Sequence, residues 1–570
     1  LRYRVLHHIN LGELERVAAA HDLLRGAVLP ILKTEASLRR TLFALMAPSR
    51  RITAFFSALI LVFSVFCASA QEGRDDSDAV YVIEEIEFSI DGATRPFALM
   101  IHGEFEIGRR LRGRESLLEY LSLKEQLLLN QRVFEEVRVD YAVGESREDG
   151  SLPVRLLVSA RDSWNFIVVP VPRYSTSDGF NISLIARHYN FLGTMSTLGA
   201  DFGYGQRGGD RGFNFSIESA APFQAAGLTW TLTFNHFFNY VFGQPLFYQN
   251  VTGLAVRIPW RSAALDLGFA QYLTFNEEPG PEAAMYGMTA RYAPYGATEV
   301  FAAHRIPLGI EAGGFGQVSY AARLSARFNY SRERMDEVRK PSVTASHSIG
   351  FGRIDWIGNF RRGLSASVEN SFTWYFGRDD APFRAAVDGD IRFHWPLAEF
   401  LGLSSRLRYR QWWHWSDAMN DGEGGWIPHF NAGDALRGVL DSNVWRTRES
   451  DLQADRMLSL NIDAPIRVLV FQPSQWLGRR SLRIFDFEMH ASPFMDMALL
   501  QGPFNNLNRD PHEGIRFRPA EMITTAGLEL IAFSGLFRSL QIRASVGYNM
   551  GSFRGLSRWD EIYIGTSFHY

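Results

Sequence analysis

The residues best suited to chemistry in this chain are one arginine and three carboxylates. In the segment 487–496, Phe487, Met489 and Met495 share an apolar face. Strand alternation then turns Glu488, Phe494 and Asp496 to the other face. In Leu458–Asp463, Leu460 and Ile462 set the apolar face and Asp463 opposes them. A Gly- and Asp-rich interruption, residues 417–456, comes just before and carries Arg437 followed by Gly438. A planar guanidinium binds carboxylates through paired hydrogen bonds. If the interruption folds inward, Arg437 reaches Asp463, Glu488 and Asp496, and Gly438 lets its tip approach a wall closely. The alternative is an Arg437 solvated in a surface loop. Nothing else reads as a reaction centre. There is no Gly-rich phosphate loop ahead of a Lys-Ser/Thr pair. His188, His236 and His490 lack a serine in a recognisable nucleophile setting. Asn505, Asn506, Asn508, Asp510 and Glu513 offer oxygens of the kind Ca²⁺ takes, but an exposed polar loop is the simpler reading. No catalytic residue, metal or cofactor is expected.

Such groups need strands to hold them, and the chain supplies strands from Trp164 almost to its end. Leu228, Trp230, Leu232 and Phe234 oppose Thr229, Thr231, Thr233 and Asn235. Leu403, Leu407 and Tyr409 oppose Ser404, Arg406, Arg408 and Arg410. A dry core does not accept such charges unpaired, whereas the wet interior of a membrane barrel does. The expectation is a transmembrane antiparallel β-barrel of about 16 strands, with about 18 as the alternative and residues 283–331 as the undecided stretch. Trp260, Tyr375, Phe376, Trp412, Trp413 and Trp415 fall at strand ends, as in interfacial aromatic girdles. The last strand places Ile562, Ile564, Thr566, Phe568 and Tyr570 on one face, and Glu561, Tyr563, Gly565, Ser567 and His569 on the other.

The N-terminal region reads as an export signal over 46–70. Arg50 and Arg51 precede the apolar run Ile52–Phe66, and Ala68-Ser69-Ala70 is a small-x-small cleavage pattern. Residues 1–45 are expected to be an over-extended start, and the mature chain to begin at Gln71. Cys67 is the only cysteine, so no disulfide framework or Cys-based metal site is expected beyond it. A formal net charge of −3 carries no nucleic-acid footprint. Residues 71–162 read as a separate small α/β domain: a strand over Tyr81–Phe88, a helical region from Ser116, then a strand with Val137, Val139 and Tyr141 on one face, then a strand over Val154–Ala160.

Two resemblances follow from these residues. The segment Leu128-Leu-Asn-Gln-Arg-Val-Phe134-Glu-Glu-Val137-Arg-Val139 is similar to the helix end and strand of a POTRA (polypeptide-transport-associated) domain. That implies a core holding Phe134, Val137 and Val139, and a sheet edge that adds partner strands. The C-terminal third resembles the BamA/TamA superfamily of bacterial surface antigens. It carries Leu436-Arg437-Gly438-Val439, the strand ending at Asp463 where the family usually has Glu, Phe494-Met-Asp496-Met-Ala498, and five strands after the long loop. Val439 and Ala498 depart from the family's aromatic and glycine. The resemblance implies a C-terminal barrel signal at Gly565, Phe568 and Tyr570, and a seam between first and last strands.

The fold expected is therefore mainly β: one POTRA-like periplasmic domain, 71–162, ahead of an outer-membrane barrel, 163–570, with a lumenal loop at 417–456. The function implied is non-enzymatic insertion or translocation of other polypeptides at the bacterial outer membrane; a passive pore or solute transporter is the alternative. Expected partners are the outer-membrane bilayer, unfolded client polypeptides and periplasmic accessory proteins at the POTRA domain, with no nucleic acid.

Overall fold

A computed structural model describes residues 79–175, 179–207, 210–243, 246–260, 263–275, 295–312, 315–330, 341–376, 383–415, 430–431, 435–437, 453–454, 456–501, 522–550 and 561–565. The expected export signal and the over-extended start lie outside the described residues.

The small domain contains β1 (Val80–Asp91), α1 (Pro96–His102), β2 (Arg110–Arg112), α2 (Gly113–Leu129), β3 (Phe134–Val143) and β4 (Ser151–Asp162). Its sheet order is β2-β1-β4-β3, with β1 parallel to β4 and β3 antiparallel to β4. In α2, Leu117, Tyr120, Leu121, Lys124 and Leu128 are buried, the three-and-four spacing of a helix laid on a sheet. They meet Ile83, Leu99, Leu156 and Val158 in one core. Lys124 is drawn in by its stem. Its ammonium donates to the Glu104 carbonyl, 2.5 Å away, and lies 4.9 Å from the Tyr120 ring centroid. Burial lowers its pKa below the usual lysine value. The short helix α1, with Pro96 in its first turn, has no counterpart in the sequence reading.

Beyond β4 the chain closes into an antiparallel barrel. Thirteen strands run in chain order from Phe166–Ser175 to Leu401–Trp415, each paired with the next. Five staves follow the long interruption. The first is broken at Ala464-Pro465 into Arg456–Asp463 and Ile466–Phe471, both paired with Phe487–Gln501. Ile523–Ser534, Gln541–Asn549 and Glu561–Gly565 complete the ring. The described residues thus form eighteen staves, the alternative count, where sixteen were expected. The undecided stretch is the reason: it contributes both Tyr295–Glu311 and Gln317–Tyr330, paired over most of their length.

The two faces of the wall are chemically opposite. Ile182, Leu184, Phe202, Leu267, Leu324, Ile349, Leu528 and Ile542 point outward and are exposed. Inward, Arg187 meets Asp201 at 2.7 Å, Arg257 meets Asp266 at 2.8 Å and Arg323 meets Glu299 at 2.9 Å. An apolar outer surface of this extent calls for lipid around the wall, and the paired charges for water inside it. No helix among the described residues is long and apolar enough to cross a membrane; here strands have that task. Trp260, Phe376 and Trp413 stand exposed at strand ends, where a girdle would lie.

Candidate functional site

At residues 435–437 the long interruption turns inward, and it is tied there by its own side chains. Ala435 and Leu436 are buried against Met457, Ala498, Leu500 and Ile523. Asn461 donates to the Ala435 carbonyl at 2.8 Å. Arg437 then reaches the wall. Its backbone N–H and Nε donate to Asp496 Oδ2 at 2.8 and 2.9 Å, and Nη2 donates to Oδ1 at 2.7 Å. Nη1 donates to Asp463 Oδ1 at 2.5 Å and lies 3.8 Å from Glu529 Oε2. The guanidinium covers the Phe494 ring, 4.0 Å from its centroid. Gly527 is in register with Phe494, and a Cβ there would meet that ring at 2.5 Å. The missing side chain is what lets the ring lie flat beneath the arginine.

Strand alternation explains who is present. Ser492, Phe494, Asp496 and Ala498 are buried on the inward face of Phe487–Gln501, and Met457, Ser459, Asn461 and Asp463 on that of Arg456–Asp463. The methyl of Ala498, where the resembled motif carries glycine, is absorbed into the cluster under Leu436. Glu488 is not a partner of Arg437. It also faces inward, but it stands eight residues from Asp496, about 26 Å along an extended strand. There it pairs with buried His490 at 2.6 Å, whose ring stacks on Phe360 at 4.7 Å. Alternation fixes the face of a residue and leaves its height open. The third carboxylate near Arg437 is Glu529, held also by Arg543 at 3.2 Å. The run Gly527-Leu528-Glu529-Leu530 carries the same alternation signal, which marks Glu529 as inward-facing. Gly438 and Val439 lie outside the described residues.

The ring closes next door, where the last stave meets the first. Glu561–Gly565 pairs with Gln541–Asn549 through five registered residues, Gly565 opposite Arg543. Against the first stave, the described residues hold one registered pair, Ile564 with Tyr174. That first stave contains Pro170 and Pro172, and proline cannot donate to a ladder, so it belongs at edges. Phe568 and Tyr570 lie outside the described residues.

The small domain is docked on the inner mouth. Phe134, Val137 and Val139 are buried in its core, and that core includes Ile167, Tyr189 and Met195 of the barrel's first staves. Asp162 accepts from Ala93 N–H at 2.7 Å, Thr94 Oγ1 at 2.6 Å and Asn190 Nδ2 at 3.1 Å. Gly193, at φ 72°, brings its carbonyl to the Arg95 N–H at 2.9 Å, and a Cβ there would strike the Ala93 carbonyl at 2.1 Å. On the far side, Arg132 donates to the Arg538 carbonyl at 2.5 Å and to Asn359 Oδ1 at 3.1 Å, and covers the Trp356 ring at 4.3 Å. Burial lowers its pKa to about 10, which leaves it charged at neutral pH. Arg132 has a positive φ of 57° in a tight turn, and no sequence period marks it. On the sheet itself, β3 has one neighbour, β4, so its other edge is unpaired among the described residues.

No known family profile matches the chain, and no curated protein matches it. Among solved structures it is similar to BamA from Haemophilus ducreyi lacking POTRA domains 1–3, at 14% identity and a TM-score of 0.39, over 87% of this chain and 85% of that one. It is similar to CdiB from Acinetobacter baumannii at 11% identity and a TM-score of 0.43, over 85% and 73%. CdiB from Escherichia coli shows 10% identity and a TM-score of 0.37, over 88% and 91%.

Proposed function

We propose that this protein sits in the bacterial outer membrane and inserts or translocates other polypeptides there without catalysing a reaction. The observation that carries this reading is the infolded loop, tied by Arg437 to Asp463 and Asp496 inside the lumen. A passive pore has no need of a loop anchored across its path, nor of a domain docked over its inner mouth. A client-handling barrel uses both: the loop keeps the lumen closed between clients, and the domain receives them. The domain's run of strand, helices, strand and strand supports the POTRA reading, and the edge of β3, unpaired among the described residues, suits an added client or accessory strand. The first stave's Pro170 and Pro172, which cannot donate to a ladder, favour the seam by Tyr174 and Ile564 as a second pairing site. The experiment is depletion of the protein followed by a survey of outer-membrane proteins. Broad loss of barrels supports general insertion, and loss of one protein supports a dedicated exporter. An unchanged outer membrane, with a steady conductance indifferent to deletion of 78–162, favours the passive pore and ends the proposal.

A further inference from the structure

The lumen carries a second set of charged groups, higher up the wall, that the loop anchor does not use. The strands Phe383–Ala398 and Leu401–Trp415 are registered with Arg392 opposite Arg406, Asp390 opposite Arg408, Asp388 opposite Arg410 and Ala386 opposite Trp412. Arg406, Arg408 and Arg410 share the inward face with Ser404, because Ser404 is opposite the inward Asp463. Consecutive arginines on that face stand about 6.6 Å apart, two residues of strand rise.

Their partners are too few. Arg392 Nε and Arg406 Nε both donate to Asp390, at 3.1 and 3.0 Å, and Arg410 pairs closely with Asp388. Arg408 lies beside Asp390 and Asp388 but makes no ion pair among the described residues, and Arg384 rests on the Trp412 ring, 4.8 Å from its centroid, also without an ion pair. The neighbouring stave opposite Arg408 and Arg410 presents Ser459 and Met457. The stave on the other side offers Glu369, opposite Asp388. Five arginines thus face three carboxylates. Unlike Arg437, Arg384 and Arg408 are half-buried, with their charge turned to a confined wet space. Low-dielectric walls focus such a field.

We propose that this arginine stripe is a lumenal binding site for the carboxylates of an extended, acidic polypeptide segment. It rests on the reading above and names the class of client chain. An extended peptide puts every second side chain on one face at the same step of about 6.6 Å. Acidic residues at alternate positions therefore match Arg406, Arg408 and Arg410 in spacing as well as sign, and a free small anion gains nothing from that spacing. An ammonium-rich segment meets repulsion over the same stretch.

The test uses the full mature chain in detergent micelles with two fluorescent probes, a sixteen-residue alternating Asp-Ser peptide and its Lys-Ser counterpart, read by anisotropy. The Asp-Ser peptide binds about ten-fold more tightly than Lys-Ser, and R384Q/R408Q removes most of that preference. Raising salt weakens its binding. Glutamine keeps a polar side chain and breaks no ion pair, and folding is checked by unchanged heat-modifiable migration. Equal binding of the two peptides, unchanged Asp-Ser affinity in R384Q/R408Q, or displacement of the peptide by sulfate at matched charge overturns the proposal. The two readings fail separately. Loss of clients on depletion with no Asp-Ser preference sinks the stripe alone. An unaffected outer membrane with a retained preference sinks the client function and leaves the stripe as the lining of an anion-preferring pore.

Discussion

On one side of the strand Gln541–Asn549 the barrel wall is cross-linked through its interior by charged side chains; on the other lies the seam, where the stave Glu561–Gly565 meets the first stave, Phe166–Ser175. Toward Ile523–Ser534 there are nine registered pairs, and inside them Arg543 grips Glu529 next to the Arg437 anchor. Toward the seam, each of the five described residues Glu561–Gly565 is paired with this strand, and Ile564 is in register with Tyr174 of the first stave. Both sides use the same alternating strand chemistry. What differs is the inward side chains: forked arginines and carboxylates on one side, and on the other a first stave with two prolines and buried Ile167 and Val171. The two sides of this strand therefore differ in their inward side chains, an ion-paired set beside Arg437 and a proline-bearing, apolar first stave at the seam.

The comparison is broken most directly by removing Arg437. R437A leaves Asp496 and Asp463 buried without their cation, a loss of about 3–5 kcal/mol for a severed buried pair. The expected result is a loop that thermolysin cuts readily and a lower temperature for loss of heat-modifiable migration. R437K, which keeps the charge without the fork, recovers part of the protection. At the inner mouth, R132A removes the bonds to Arg538 and Asn359 and the contact with Trp356, about 3 kcal/mol of docking. Hydrogen exchange should rise in residues 357–360 and 535–540, while the loop stays protected.

Single carboxylates sharpen the picture. D496N loses about 2 kcal/mol, since a neutral amide weakens charge-assisted bonds without emptying the site. E488Q leaves thermolysin protection of the loop unchanged; a loop freed by E488Q and not by D496N would reverse the assignment of partners. The smallest effect is at His102, whose Nε2 lies 3.2 Å from the Thr194 carbonyl in the docking turn. Burial lowers its pKa, so the docked state favours neutral imidazole. Its contribution is present above the ordinary histidine pKa, about 6.5, and is lost as pH falls below it. Hydrogen exchange in residues 191–196 should rise modestly between pH 7.5 and 5.5, and H102Q should flatten that dependence.

Much of this was legible from alternation alone. Leu460 and Ile462 turned Asp463 inward, and Met489 and Met495 did the same for Asp496, so both stood ready for Arg437. Glu488 and Glu529 mark the limit. Both satisfy the alternation, yet Glu488 is in register with Phe533 while Glu529 is in register with Ser492, two residues from Phe494. Height on a barrel wall follows from the register of neighbouring strands and the reach of the loop, and neither is written in one strand's period. The stave count hid for a related reason, since residues 283–331 hold two strands where the pattern was ambiguous. Arg132 was invisible because a residue in a tight turn has no period, and its partners lie more than two hundred residues away.

The account's central claim is that clients enter by pairing at the seam, while the anchored loop stays shut beside it. It is tested by paired cysteines in the mature chain: Tyr174→Cys with Ile564→Cys across the seam, and Ala526→Cys with Tyr548→Cys in the neighbouring ladder as control. Client assembly in the outer membrane is then followed before and after reduction. The account predicts that the seam disulfide stops assembly, that reduction restores it, and that the control disulfide changes nothing. Full assembly through a quantitatively oxidised seam would contradict it.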